Sequence, residues 1–540
     1  MPTSQTPPLR TAVVSDVRTA NADENRLIWI IWMTYGAFYF CRTNISAAVP
    51  GMKAPLSAGG LGLDPVQVGV ILAALKVCYG LGQLVNGQLS ERVSPRLLLA
   101  IGMFGSALLN VCLGLAAGFY FLLFVWACNG YCQSLGWTPC VRVVGNWIPV
   151  SWRGRALGII GTGYQVTLGL TYLVAAYSAQ WFGWRGALFV PAGVLIVAGI
   201  ATLFLLRETP AEVATKTPIE GDGQCALPVQ RGFSENLYLT LYNPTLWLLG
   251  LSLGLLNACR YGFLDWGLTH LMEVQQTTIG KAGLKYCVIA LGAVLGSYCA
   301  GVATDRLFGG RRAPVICLLL VLLGLLTLLY ESVSRSSASG TIVLLAVIGF
   351  CIYGPQVLLV GTAPADLAHK GTAAAAAGFV NFMGYMGAAT GDVVTGYYSV
   401  AEHGGWRIAI SIWAGWALAA AVAAGLLWNV TASQRKLLAG WIPVAVGVSV
   451  LLVSAALVFR VTGVHWVVIT ASGGAVLLPV ARHLEPRLAC FTGVMSLIGL
   501  LGLLLGWVPE DGLSSWYTVL PRVGHGLGAL AALMVIVEKR

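Results

Sequence analysis

Two arginines, Arg42 and Arg260, each lie near the middle of an apolar stretch long enough to cross a bilayer. A guanidinium at the centre of a membrane helix costs about 2.5–3.5 kcal/mol, so an arginine in that position needs a partner. Neither has an acidic residue three or four positions away on its own helix, and Asp265 lies five positions after Arg260, off its face. The planar fork of guanidinium donors fits phosphate oxygens, so the pair predicts an oxyanion site. The alternative is that each arginine pairs with a carboxylate or carbonyl of another helix, for which Asp392 is available.

The elements that must hold these arginines are membrane helices. Of the 540 residues, 57% are hydrophobic and only 10% are charged, whereas a soluble globular domain has about 25% charged residues. A spanning helix needs about 20 apolar residues. Twelve such stretches lie near residues 28–48, 66–87, 97–117, 119–140, 155–178, 186–206, 245–268, 283–304, 313–331, 340–363, 373–398 and 407–429. Four more lie near 439–459, 465–481, 488–508 and 518–537, which makes sixteen predicted spans.

Basic residues indicate the sidedness of these spans. The net charge of +11 comes largely from short connections on alternate sides, which contain Arg92, Arg153, Arg306 and Lys370. Because cytoplasmic loops retain positive charge, we predict that these connections and both termini are cytoplasmic, in the inner (plasma) membrane of a bacterium. Basic residues in short loops do not form the basic face that nucleic-acid binding requires, so no nucleic-acid partner is expected.

The two groups of six spans repeat in sequence. Arg42 recurs as Arg260, 218 residues later, and two short strings recur at similar offsets. These strings are residues 87–92 with 301–306, an offset of 214, and residues 183–185 with 405–407, an offset of 222. The repeat predicts a duplicated six-helix unit. We therefore divide the chain into a cytoplasmic tail (1–25), an N-terminal six-helix half (26–206), a cytoplasmic linker (207–237), a C-terminal six-helix half (238–433) and an appended four-helix membrane segment (434–540).

The string G-x-x-[ST]-[DE]-R after the second and eighth spans resembles the loop signature of the major facilitator superfamily. It places Glu91 and Arg92 in one half and Asp305 and Arg306 in the other. We expect these acidic residues and arginines to form an ion-paired latch on the cytoplasmic side. The resemblance implies an all-α polytopic membrane protein with the major facilitator fold, in which two six-helix halves are related by pseudo-twofold symmetry. About four additional C-terminal transmembrane helices would follow this fold.

Four further strings resemble one branch of that superfamily, the organophosphate:inorganic phosphate antiporters. They are Tyr35-x-x-Phe-Tyr39-x-x-Arg42-x-Asn44, Asn129-Gly130-x-x-Gln133-Ser134-x-Gly136-Trp137, Arg260-Tyr-Gly-x-Leu-Asp265-Trp266 and Ile352-Tyr353-Gly354-Pro355. The resemblance covers residues 28–430. It implies a secondary active transporter, not an enzyme, in which Arg42 and Arg260 bind the substrate phosphate.

Two positions depart from that branch. Its members usually have a lysine in the second span where we align Gln83, and glycerol-phosphate carriers have a histidine in the fifth span where we align Tyr164. Lys76 lies seven residues before Gln83 on the same face, and it either supplies the missing charge or reaches toward the outer interface. Tyr164 and Gln165 can donate hydrogen bonds to a sugar or phosphate oxygen.

Other candidates for substrate contact are aromatic and amide side chains within the spans. The aromatic candidates are Tyr35, Tyr39, Tyr131, Trp137, Tyr261 and Tyr353, and the amide candidates are Asn44, Gln133 and Asn257. The sequence has no histidines at metal-ligand spacing and no glycine-rich nucleotide loop with a lysine. We therefore expect neither a metal nor another cofactor.

Three functions stay open at this point. The first is exchange of an organophosphate, of the glycerol-phosphate, phosphoglycerate or sugar-phosphate type, for inorganic phosphate by alternating access. The second is proton-coupled transport of another organic anion, with Asp392 or Asp265 as the proton carrier. The third is a non-transporting sugar-phosphate receptor, as some members of the branch are, with the C-terminal helices as a surface for a protein partner.

Overall fold

The computed structural model describes residues 22–148, 150–209, 238–368 and 372–428, and the regular elements in these ranges are all helices. In the N-terminal half, the first and fourth predicted spans are each broken in two, so that six spans correspond to eight α-helices. Their bounds are α1 Ala22–Ala37, α2 Ile45–Lys53, α3 Pro65–Arg92, α4 Pro95–Leu115, α5 Phe119–Ser134, α6 Trp137–Trp147, α7 Val150–Phe182 and α8 Gly186–Leu205.

The C-terminal half repeats this arrangement with its own interruptions. Its helices are α9 Pro244–Tyr261, α10 Gly267–Gln275, α11 Ile279–Tyr286, α12 Ile289–Arg306, α13 Arg312–Ser336, α14 Ala338–Val357, α15 Ala363–Leu367, α16 Ala373–Tyr398 and α17 Gly405–Gly425. Two π-helical turns, Gly262–Trp266 and Leu358–Thr362, interrupt the seventh and tenth spans. The predicted cytoplasmic tail up to residue 21, most of the linker and the appended four-helix segment lie outside the described residues.

Helix length and apolar character together separate the twelve spans of the described part into two groups. Eight of them are helices long and apolar enough to cross a membrane. The first, fourth, seventh and eleventh spans are not among these eight. The first and seventh contain Arg42 and Arg260, and the eleventh contains Asp392. Both buried arginines and one of the buried aspartates therefore lie in spans that are not long and apolar enough to be counted among the eight.

The break in the first span lies at Arg42 and is stabilised by amide side chains of neighbouring helices. After a 3₁₀ turn over Phe38–Cys41, α2 begins only at Ile45, which leaves backbone carbonyls without intrahelical donors. Asn129 Nδ2 donates to the Cys41 carbonyl at 2.9 Å, and Gln133 Nε2 donates to the Phe38 carbonyl at 3.1 Å. The amides of the fourth-span string thus satisfy the backbone that the break exposes.

Small residues let the eleventh span approach its neighbours closely. A methyl group built on Gly391 would lie 2.7 Å from the Ala258 carbonyl oxygen of α9, and one built on Gly387 would overlap the backbone of Gly254. On the other side of the same helix, a methyl group on Gly69 of α3 would lie 2.7 Å from the Asp392 carbonyl oxygen. Asp392 is therefore held between the second and seventh spans at backbone contact distance.

Contacts between the two halves are concentrated toward one end of the bundle, which we call the Lys53 end. The opposite end, which carries Arg92, is called the Arg92 end, and the sequence predicts it to be cytoplasmic. Polar contacts join the halves between the bundle centre and the Lys53 end. Lys53 Nζ pairs with Glu273 Oε1 at 2.9 Å, and the Gly280 backbone N–H donates to Gln180 Oε1 at 3.1 Å. The Tyr172 hydroxyl donates to the Leu264 carbonyl at 2.8 Å, and Gln165 Nε2 donates to Ser297 Oγ at 2.7 Å. The structure therefore has the halves joined at the Lys53 end.

The close approach of α16 to α9 predicts a position-dependent effect of adding one methyl group. Gly387→Ala should lower the unfolding free energy by about 1–3 kcal/mol, because the new methyl overlaps the Gly254 backbone, which cannot move aside. Gly378→Ala, in the same helix, meets nothing within 4 Å and serves as the matched control. Thermal unfolding in detergent measures both, and equal unfolding temperatures would contradict the packing described here.

Candidate functional site

Arg42 is 3% exposed and has no carboxylate partner among the described residues. Its Nε donates to Gln133 Oε1 at 3.0 Å, and one Nη donates to the Gln133 carbonyl at 3.4 Å. The guanidinium carbon lies 4.5 Å from the Tyr39 ring centre and 4.6 Å from that of Tyr79. The other Nη has no hydrogen-bond partner in the described part of the chain. Neutral groups therefore hold the charge without cancelling it.

Arg260 has the same kind of surroundings in the other half. It is 2% exposed, and one Nη donates to the Tyr353 hydroxyl at 3.1 Å. Its guanidinium carbon lies 4.8 Å from the Tyr261 ring centre and 4.9 Å from that of Tyr353. Its Nε finds no hydrogen-bond partner within the described ranges. An oxyanion is the ligand that would satisfy these free donors and the charge together.

Tyrosine rings connect the two arginines along two paths. On the first path, Tyr39 stacks on Tyr164 with ring centres 5.1 Å apart, and Tyr164 lies 6.3 Å from Tyr353. The second path runs from Tyr79 to Tyr385 at 4.3 Å and on to Tyr261 at 6.5 Å. We call this set of two arginines and six tyrosines the arginine–tyrosine circuit. Its members come from the first, second, fifth, seventh, tenth and eleventh spans, and thus from both halves.

The circuit follows the sequence repeat. Gln133 accepts a hydrogen bond from Arg42, and Tyr353, which lies 220 residues later (353 − 133), accepts one from Arg260. Tyr164 and Tyr385 are separated by 221 residues (385 − 164) and occupy corresponding places on the two paths. These offsets lie between the values of 214 and 222 that define the repeat. The two arginines are therefore held in pseudo-symmetric environments.

Lys76 lies between two carboxylates of the opposite half. Its Nζ donates to Asp265 Oδ2 and lies 2.5 Å from Asp392 Oδ2. The three side chains are at most 3% exposed, so Lys76 does not reach the membrane interface. Asp392 pairs with this lysine and not with an arginine, which corrects the pairing considered from the sequence. The positive charge of Lys76 is thus balanced within the protein, unlike that of Arg42.

Three of the predicted site residues serve packing or positioning in this structure. Asn44 Nδ2 donates to Asn110 Oδ1 at 2.9 Å and to the Ala187 carbonyl at 3.0 Å, away from the arginines. Gln133 orients Arg42, as described above. Trp137 packs against Tyr35, whose ring centre lies 4.9 Å away. Asn44 thus makes no hydrogen bond to a member of the arginine–tyrosine circuit among the described residues.

Three further candidates, all amides, retain a buried polar atom without a described partner, as Asn44 does at its Oδ1. Gln165 Nε2 donates to Ser297 Oγ at 2.7 Å across the halves, while its Oε1 has no partner among the described residues. Gln83 Nε2 and Asn257 Oδ1 are likewise buried atoms without a described partner. Tyr164 itself is half-buried. Unsatisfied buried amide atoms are uncommon in folded proteins, and Gln165, which also lies at hydrogen-bond distance from the Tyr164 hydroxyl, brings one to the arginine–tyrosine circuit.

The predicted latch lies at the Arg92 end. Arg92, Asp305 and Arg306 are exposed, and the structure gives none of them an ion pair with another described residue. The Glu91 side chain lies outside the described residues. The latch therefore stays a prediction, and it belongs to the end of the bundle opposite the interhalf contacts.

The paired halves with a polar site between them define a polytopic membrane carrier, and the comparisons with known proteins agree. The model of the Major Facilitator Superfamily matches residues 31–392, so the chain belongs to that superfamily. A probable hexose phosphate transport protein of Chlamydia pneumoniae is 30% identical over 71% of this chain and 86% of that protein. The glycerol-3-phosphate transporter of Bacillus subtilis (strain 168) is 28% identical, over 74% of this chain and 91% of that protein.

Two further comparisons bear on the branch and the fold. The membrane sensor protein UhpC of Escherichia coli (strain K12) is 28% identical over 74% of this chain and 89% of its own length. A bacterial homolog of the human lysosomal transporter Spinster, in an inward-facing and unoccupied conformation, superposes with a TM-score of 0.59 at 16% identity, over 78% of this chain and 98% of that chain. The predicted major facilitator fold and the resemblance to the organophosphate branch are confirmed. The four appended helices are not covered by this confirmation.

Sequence reasoning did not identify Tyr79 and Tyr385 as site residues. Tyr79 lies three residues after Lys76 and four before Gln83, so helical spacing places it on the face already under consideration. Tyr385 is the repeat partner of Tyr164. Extending the repeat from motifs to single aromatic positions would therefore have found it.

The different surroundings of two amides predict different costs of removing them. Asn44→Ala should lower the unfolding free energy by about 1–3 kcal/mol, because Asn110 and the Ala187 carbonyl lose their partner in a buried place. Asn257→Ala removes an oxygen that has no described partner and should cost less. Thermal unfolding of the two variants without added anion makes the comparison. A larger loss in Asn257→Ala would show that the two assignments are reversed.

Proposed function

We propose that this chain is a secondary active transporter that exchanges an organophosphate for inorganic phosphate by alternating access. The observation that carries the proposal is the arginine–tyrosine circuit, in which one buried guanidinium group from each half has no carboxylate partner among the described residues. Relatives named as hexose phosphate and glycerol-3-phosphate transporters support a phosphate ester as the substrate class.

The circuit also suits the organic part of such a substrate. Hydroxyl groups of Tyr39, Tyr164 and Tyr353 can exchange hydrogen bonds with sugar or glycerol hydroxyls, and their ring faces can cover carbon atoms. Gln83, Gln165 and Asn257 offer the free amide atoms described above. We assign the substrate phosphate to Arg42 and Arg260. Lys76 stays paired with Asp265 and Asp392, so it does not supply the positive charge that members of the organophosphate branch usually have at the position of Gln83.

Exchange, as opposed to one-way transport, follows from the electrostatics of the empty site. When the carrier switches access from one side of the membrane to the other, the empty site and its two arginine charges must become more deeply buried. Two like charges in a medium of low dielectric constant oppose that burial. A bound phosphate or phosphate ester offsets them and allows the halves to rock. We further propose that the Arg92 end faces the cytoplasm of a bacterial cell, and that the segment after residue 434 offers a surface to a protein partner.

The first test measures the anion site directly. Arg42→Gln and Arg260→Gln should each weaken phosphate binding about 10- to 150-fold, because a hydrogen bond to a charged group contributes about 1.5–3 kcal/mol. The measurement is the rise in unfolding temperature with increasing inorganic phosphate. Arg407→Gln, at an exposed position, is the control and should respond like the parent. An unchanged phosphate response in both core variants would refute the site.

A second test concerns exchange itself. Proteoliposomes loaded with labelled phosphate should lose it rapidly only when phosphate or a phosphate ester is present outside. Rapid efflux into buffer without a counter-substrate would contradict obligate exchange. Phosphate binding in detergent with no flux under either condition would instead indicate a receptor, the function that the similarity to a membrane sensor protein suggests.

A further inference from the structure

The cluster formed by Lys76, Asp265 and Asp392 is a second charged centre next to the proposed anion site. Lys76 belongs to α3 of the N-terminal half, whereas Asp265 lies in the π-helical turn after α9 and Asp392 lies in α16, both in the C-terminal half. Relative exposures are 3%, 1% and 0%. The Tyr261 ring lies 4.8 Å from Lys76 Nζ and 4.8 Å from the Arg260 guanidinium carbon, so it separates the two centres.

The charges of this cluster do not balance. One ammonium faces two carboxylates: Lys76 Nζ donates to Asp265 Oδ2 and lies 2.5 Å from Asp392 Oδ2, while Asp392 Oδ1 lacks a hydrogen-bond partner among the described residues. With Lys76 in place, its ammonium stabilises both ionised carboxylates, and the cluster carries one negative charge in excess. The Asp392 side chain is thus fully buried, and among the described residues it shares its close counter-charge, the Lys76 ammonium, with Asp265.

No other described positive charge on the neighbouring helices and turns forms an ion pair with Asp392. Lys76 and Asp265 act directly on Asp392, and the other titratable groups along the middle of the second, seventh and eleventh spans are Cys78, Tyr79, Cys259, Arg260, Tyr261 and Tyr385. The remaining described acidic, basic and histidine side chains on the turns and helices packed against α16 lie toward the ends of the bundle and are exposed: Arg92, Asp366, Glu402, His403 and Arg407. At the level of Asp392, the tenth and twelfth spans add no described charged group.

The position of the cluster between the halves makes its proton count depend on conformation. In the alternating access proposed above, opening of the Lys53 end moves α3 of the N-terminal half, and Lys76 with it, away from α9 and α16 of the C-terminal half. Asp265 and Asp392 then remain together in the C-terminal half without their ammonium. Two adjacent carboxyl groups cannot both stay ionised in a medium of low dielectric constant, so the pair takes up a proton from water as Lys76 leaves. The same proton returns to water when Lys76 comes back.

We propose that Lys76, Asp265 and Asp392 form a proton-binding site whose occupancy favours opening at the Lys53 end, and which links this carrier to protons. The proposal rests on the alternating access of the proposed function. In chemical terms, an O–H bond forms on one aspartate as its ion pair with Lys76 breaks, and the reverse occurs on closure. Because the open state holds one proton more, acidification must shift the population toward it.

The experiment follows the distance between the halves at the Lys53 end as a function of pH. Spin labels are placed by unnatural amino acids at Ser57 and Ala401, two exposed positions of that end in the two halves. In the full chain, each pH unit of acidification should raise the ratio of open to closed populations by at most about ten-fold, the limit for one proton. Asp392→Asn and Asp265→Asn should each lose this response, whereas Asp392→Glu should retain it.

Asp366→Asn is the matched control, because Asp366 is an exposed aspartate paired with Arg312 away from the cluster. It should show the response of the parent. Distances that do not change with pH in the parent, or a response that survives in both Asp392→Asn and Asp265→Asn, would overturn the proton site. Phosphate exchange by the parent at equal pH on both sides is measured in parallel. Exchange without a pH response refutes the proton site alone, and a pH response without exchange supports it while refuting the proposed function.

Discussion

The structure depends on the burial of two guanidinium charges that no carboxylate of the described residues neutralises. Each arginine carries a cost of a few kcal/mol in a membrane helix, and the protein meets it with an amide, a hydroxyl and tyrosine faces. Such neutral partners fix the position of a guanidinium without removing its charge. A carboxylate at the same place would stabilise the helix bundle more and would leave nothing for an anion to bind.

The local fold around Arg42 serves this constraint. The arginine sits where the first span is broken, and the amides of Asn129 and Gln133 satisfy the carbonyls that the break leaves free. Gln133 does both tasks at once, because its Oε1 accepts from Arg42 while its Nε2 donates to Phe38. The seventh span has a π-helical turn directly after Arg260 and Tyr261. Both halves thus depart from regular helix beside the arginine.

The sequence predicts the spans and the arginine pair, but it does not predict which side chains pair between helices, and the reason is physical. Spans and the arginine pair are local properties, set by the hydropathy of about 20 consecutive residues, and the structure has helices at all twelve predicted places of its described part. The ion pairs of Lys76 and the position of Asn44 depend on how each helix is rotated about its axis and on which neighbour it meets. Spacing along one helix cannot supply that information. The repeat supplies part of it, because it relates Tyr385 to Tyr164.

The two charged centres have opposite imbalances, and Tyr261 lies between them. The arginines have positive charge in excess, whereas the carboxylates around Lys76 exceed its single charge. An anion arriving at Arg260 attracts Lys76 across the Tyr261 ring, in a medium where such forces are weakly screened. That attraction opposes the ion pairs joining the second span to the C-terminal half. Substrate and proton would then act in the same direction on the Lys53 end, since each weakens the hold of the carboxylates on Lys76.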